Sequence, residues 1–110
     1  MSERRVPEAV KIVSPADAAA LPRPHDNLAT PILQRADVET EYYAPRGVDT
    51  QEPHDRDELY FVASGSGWFV ADGQRRRFRA GDLIFVPAHA EHRFEEFSDD
   101  FATWVVFFGD

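Results

Sequence analysis

Residues 58–78 read Glu58-Leu-Tyr-Phe-Val-Ala-Ser-Gly-Ser-Gly-Trp-Phe-Val-Ala-Asp-Gly-Gln-Arg-Arg-Arg-Phe78, and three strands are legible in them. Glu58–Ala63 is followed by Ser64-Gly65-Ser66-Gly67, a cluster of residues that favours a turn. Gly67–Ala71 and Gln74–Phe78 then flank Asp72-Gly73, a two-residue hairpin signal because both positions accept positive φ. Working outward, the same punctuation marks further strands at Ala29–Arg35, Val38–Tyr43, Asp82–Val86, Glu91–Phe97 and Ala102–Phe108. Short strands broken this regularly, in a chain with 13% aromatic residues, predict an all-β sandwich or barrel.

Helix signals are confined to the N-terminal part. Residues 1–9 are polar and aperiodic, which reads as a flexible tail and leaves 10–110 as a single domain. Val10–Val13 reads as a short strand. Ser14-Pro15-Ala16-Asp17 starts a short helix: Ser14 can cap, Pro15 suits the first helical position, and Asp17 completes a capping box. Pro22 and Pro24 end it. The last strand differs from the others. Thr103, Val105 and Phe107 share one face and Ala102, Trp104, Val106 and Phe108 the other, so both faces are largely apolar. Either the N-terminal segment covers the second face or another copy does; a homodimer is the expectation.

Composition removes several function classes. With 20 acidic against 12 basic residues the formal charge is −8, which argues against nucleic acid. The absence of cysteine removes disulfides, thiolate metal sites and thiol nucleophiles. Apolar runs such as 83–87 and 104–108 are far shorter than the ~20 residues of a membrane helix. The first residues lack the apolar stretch of a signal peptide, so a cytoplasmic protein that does not bind membranes is expected. Among the bases, Arg75, Arg76, Arg77 and Arg79 form a cluster that reads as an anion-binding patch or as a solvated strand. Clustered charge usually faces water, which favours the second reading.

The residues suited to chemistry lie in two segments. Glu58, Tyr60 and Val62 share one strand face, as do His92 and Phe94 on a later strand. If both faces point into a barrel, Glu58 and His92 can meet, and His54, just before Glu58, can reach the same point. Two imidazoles and one carboxylate suit a divalent first-row metal with open coordination positions. His25, between Pro24 and Asp26, reads as a solvated loop residue.

These segments resemble the cupin family. His54, three residues, Glu58, six residues and Gly65 match the second half of that family's first motif. Gly81, five residues, Pro87 and then His92 match its second motif in spacing. The resemblance covers roughly 46–96 and implies a small jelly roll, the double-stranded β-helix barrel, preceded here by the short helix. It implies His54, Glu58 and His92 as metal ligands. The sequence departs from the family where its first histidine becomes Glu52 and its first glycine falls one place late, at Gly47. The second motif has His89 in place of glycine and Glu96 in place of asparagine. Glu52 is a candidate fourth ligand and Gln51 a weaker one. Tyr60, Phe94 and His89 are candidate pocket or supporting residues, with an exposed turn the simpler reading of His89. Tyr42 and Tyr43 suit a pocket rim, and Tyr60, Phe85, Phe94 and Trp104 suit the core.

The resemblance implies Fe(II), Mn(II), Ni(II) or Zn(II) as cofactor and a small organic molecule in the barrel, with dioxygenase or isomerase chemistry. The alternative is a non-enzymatic binding or sensing barrel with a degenerate or structural metal site. A purely structural interaction protein rests on the apolar last strand alone.

Overall fold

The computed structural model describes residues 10–22 and 29–109. The N-terminal tail and His25 lie outside the described residues. A short helix, α1 (Pro15–Ala20), precedes eight strands: β1 (Ala29–Arg35), β2 (Val38–Tyr43), β3 (Asp57–Ser64), β4 (Ser66–Ala71), β5 (Gln74–Arg79), β6 (Leu83–Val86), β7 (His92–Glu95) and β8 (Ala102–Phe108). Two antiparallel sheets form, one in the order β1-β2-β8-β3-β6 and one in the order β5-β4-β7. They face each other across a core built from Tyr43, Tyr60, Val62, Phe78, Val86, Phe94, Phe101, Val105 and Phe107. This is the expected β-barrel.

Local chemistry accounts for the elements. The Ser14 hydroxyl accepts from Asp17 N at 3.0 Å and Asp17 Oδ2 accepts from Ser14 N at 3.2 Å, completing the capping box. Pro31 lies on β1, an edge strand, where a missing N–H breaks no ladder, and the register shifts between Pro31 and Leu33. Asp72 and Gly73 both have positive φ, as the hairpin signal requires. Gly65 has a φ of +82°, and a Cβ there would lie 2.6 Å from Phe101 Cα, so this position excludes side chains twice over.

Three expectations are corrected. The segment 10–14 forms no strand, and Val10 and Ile12 are exposed, because no neighbouring edge pairs with them. Tyr42 and Tyr43 are buried rather than at a rim. Phe85, expected in the core, is 56% exposed, because register with Leu59 turns it to the outer face of β6. The two-faced β8 has a direct explanation. It is the central strand of the larger sheet, with β2 and β3 on either side. Its inner face enters the core, and Ala18 of α1 covers the Ala102 end of its outer face together with Tyr42 and Trp104.

Candidate functional site

Strand register brings the predicted residues to the inner face. Glu58 pairs with Phe107 and Val86 and Tyr60 pairs with Val105 and Ile84, so both side chains point between the sheets. From the opposite sheet β7 sends in His92 and Phe94, beside Ala71 and Phe69 of β4. The two strands thus deliver Glu58 and His92 to one point. Glu58 Oε1 lies 3.1 Å from His92 Nε2, with both side chains essentially out of solvent. Tyr60 Oη lies 3.0 Å from the same nitrogen and donates to Gln51 Oε1 at 3.1 Å.

The proton positions follow from partners. His92 Nδ1 faces the Ala90 carbonyl at 2.8 Å, so Nδ1 carries hydrogen and Nε2 is the atom offered to the interior. Burial pulls the His92 pKa down, but its hydrogen bonds to Glu58 and the Ala90 carbonyl, with the charges of Glu58 and Asp49, raise it above 6.5 overall. Nε2 faces Glu58 Oε1 at 3.1 Å, the contact that most favours the protonated ring. Tyr60 is held well above the ordinary phenol range by burial and then by Glu58, so it remains a proton donor.

Glu58 Oε2 is buried and has no hydrogen-bond partner among the described residues. Buried polar atoms are nearly always satisfied, so this lone carboxylate oxygen stands apart from the other buried groups around it. A cavity of about 480 Å³ reaches His92, lined also by Asp49, Gln51, Pro53, Val70 and Ala71 among others.

The other expected residues stand as follows. The His54 ring lies edge-on to Phe107, with centroids 4.9 Å apart, and 6.3 Å from the His92 ring. Its carbonyl accepts from His89 N at 2.7 Å, which ties the two motif segments together. Among the described residues no three His, Asp or Glu side chains are gathered closely enough to hold one ion. Glu52 is exposed and makes no hydrogen bond or ion pair among the described residues. Gln51 faces inward and bonds Tyr60 and Asp49. Phe94 is core, stacked among Tyr60, Phe69, Phe78 and Phe101. His89 is an exposed turn residue with a φ of +71°.

Asp49 went unread in the sequence. It is buried and accepts four hydrogen bonds, from Tyr43 Oη at 2.5 Å, Gln51 N at 3.1 Å, Gln51 Nε2 at 2.9 Å and Phe94 N at 2.9 Å. The only local signal was its bond two residues ahead, the pattern of an Asx-turn. Glu41 was also missed. Burial first, then the charges of Glu39 and Glu58, raise its pKa.

Comparison with known proteins places this geometry in a class. A cupin-domain family profile matches residues 40–108, and the chain belongs to the cupin family. An uncharacterised protein of Streptomyces coelicolor is 37% identical over 59 residues, covering 54% of this chain and 56% of that protein. A gentisate 1,2-dioxygenase of a Streptomyces species is 33% identical over 78 residues, 70% of this chain but 21% of the dioxygenase. The chain thus spans just over half of the first relative and about a fifth of the second. A cupin 2 conserved barrel domain protein of Salinispora arenicola superimposes with a TM-score of 0.70 at 24% identity, covering 93% of this chain and 91% of that one. Among the described residues no helix is long and apolar enough to cross a membrane.

Proposed function

We propose that this cupin binds a divalent transition metal through His92 Nε2 and Glu58, with His54 as third ligand, and receives a small organic molecule in the adjoining cavity. The orphan Glu58 Oε2 beside His92 Nε2 carries this reading, because a cation supplies what that oxygen lacks. The donors are imidazole and carboxylate, a set that suits Fe(II), Mn(II), Ni(II) or Zn(II). A metal so held would supply Lewis acidity and a template for substrate.

The chain's own residues have defined parts. His92 is oriented by the Ala90 carbonyl, a bond that fixes its tautomer for ligation. Tyr60 places its phenolic hydroxyl beside His92 Nε2, and Gln51, which lines the cavity, holds that hydroxyl in place. Phe69 and Phe94 pack against each other and against Tyr60, giving that hydroxyl an apolar surround. The partial likeness to a dioxygenase supports oxygenase chemistry over isomerase chemistry as the first reaction to assay. The exposed position of Glu52 favours a three-ligand set over four.

A non-enzymatic binding barrel is the second reading, favoured by the separation of His54 from the Glu58–His92 pair. Elemental analysis of untagged protein against a His54→Ala, His92→Ala double variant tests the metal. The expected result is near-stoichiometric metal in the wild type and little in the variant. Equal, near-zero metal in both contradicts the metal reading; with metal present, oxygen uptake over a panel of thiols, diketones and aromatic diols separates an oxygenase from an isomerase or sensor.

A homodimer across the outer face of the larger sheet is part of the same proposal. Phe61, Leu83 and Phe85 are exposed there, and register makes Phe61 and Leu83 neighbours and Leu59 and Phe85 neighbours. Apolar side chains grouped in this way suit association with a second copy. Light scattering at micromolar concentration is expected to give twice the chain mass; the mass of one chain contradicts it.

A further inference from the structure

The arginine cluster holds a residue that its neighbours do not explain. Along β5, Gln74, Arg76 and Phe78 share one face and Arg75, Arg77 and Arg79 the other. Two of the three outward arginines, Arg75 and Arg77, are engaged. Arg75 stacks on Trp68 at 4.1 Å and pairs with Glu95 and Glu96, and Arg77 lies over the same indole at 5.2 Å. Arg76 sits on the face that carries the buried Phe78, in register with Phe69. Among the described residues it has no ion-pair or hydrogen-bond partner.

Arg76 borders a cleft. Strand β5 is an edge of the small sheet and β6 an edge of the large one, and nothing pairs them. The gap between them is about 460 Å³, lined by Phe69, Arg76, Phe78, Ile84 and Phe85 among others, with Arg77, held over Trp68, at its border. Asp82 is the acid in that lining, and its Oδ2 already accepts from Arg79 N at 2.8 Å. Phe69 separates this cleft from the candidate metal site, its ring centroid 6.0 Å from that of His92 and 6.1 Å from that of Tyr60.

We propose that the β5–β6 cleft is a binding site for an amphipathic organic carboxylate, its apolar body against Phe69, Ile84 and Phe85 and its acid group on the Arg76 guanidinium. An unpartnered planar guanidinium bordering an aromatic-walled cleft matches both halves of such a ligand. Aromatic and aliphatic side chains with a few convergent polar groups are also the usual make-up of a small-molecule site. The proposal rests on the reading of this barrel as a small-molecule receptor and adds the chemical class. In a protein of net charge −8, Arg76 gives an anion a local reason to bind.

The test titrates 3-phenylpropanoate and its neutral counterpart 3-phenylpropanamide into labelled protein, followed by amide chemical shifts. The carboxylate is expected to bind about tenfold more tightly than the amide, with shifts centred on Phe69, Ile84 and Phe85. Arg76→Gln is expected to erase that preference, whereas Arg75→Gln, stacked on the far face, keeps it. Equal affinity for the two probes, an unchanged preference in Arg76→Gln, or shifts centred on Asp49 and Gln51 overturns the proposal. The His54→Ala, His92→Ala variant separates it from the metal reading. Carboxylate binding is expected to persist in that variant, and its loss there together with the metal overturns an independent cleft.

Discussion

Two carboxylates are buried in this barrel, and their surroundings differ in kind. Asp49 accepts four hydrogen bonds, with both oxygens used, and ties Tyr43 of β2, the Gln51 loop and the backbone of β7 together. Glu58 has one oxygen on His92 and the other on nothing among the described residues. A fully satisfied buried carboxylate holds structure, whereas a half-satisfied one costs stability and is kept for what it binds. The difference distinguishes a structural acid from a functional one where burial alone does not.

The comparison is most forcefully broken at Asp49. Asp49→Ala leaves the Tyr43 hydroxyl, the Gln51 amide and the Phe94 N–H without their acceptor. The expected loss is about 3–5 kcal/mol of unfolding free energy, read by urea denaturation. A loss under about 1 kcal/mol would mean that Asp49 is not the structural acid.

The pH dependence sharpens the Glu58 side. The His92 pKa is raised on folding, so the pair's contribution to stability of the metal-free protein is full below pH 6.5. It is lost as pH rises through the folded value. Metal affinity moves in the opposite direction over the same interval, because Nε2 must give up its proton to a cation. Imidazole chemical shifts of metal-free protein are expected to place the His92 midpoint above 6.5; a midpoint below it would mean that burial outweighs Glu58.

The smallest effect is expected at His89, where the family pattern has glycine and the backbone keeps a positive φ of +71°. His89→Gly is expected to stabilise the protein by up to about 1 kcal/mol while leaving metal affinity unchanged, measured by thermal unfolding and metal titration. A drop in metal affinity would instead give His89 a part in the site.

Much of this was legible in the sequence, for identifiable reasons. The bounds of Ala29–Arg35, Val38–Tyr43 and Ala102–Phe108 follow from strand composition between residues that break strands. The inward pairing of Glu58 with His92 follows from period-two alternation on two strands plus the motif spacing. Val10–Val13 failed because strand composition cannot supply a partner edge. Asp49 was hidden because its partners Tyr43 and Phe94 are set by chain closure, the latter 45 positions away. The side of β6 that Phe85 occupies depends on its register with β3, which no local pattern fixes. Arg76 was masked by neighbours of the same type, and only the sheet edge beside it sets it apart.

The central claim is that Glu58 is buried for a ligand rather than for the fold. Co(II) titration of wild type and Glu58→Gln, read by ligand-field absorption with thermal unfolding in parallel, tests it most directly. The account predicts that Glu58→Gln weakens Co(II) binding by about 100-fold or more while metal-free stability changes by less than about 1.5 kcal/mol. Undiminished Co(II) affinity in Glu58→Gln, or a fold that collapses without Glu58 in protein that never binds metal, would contradict it.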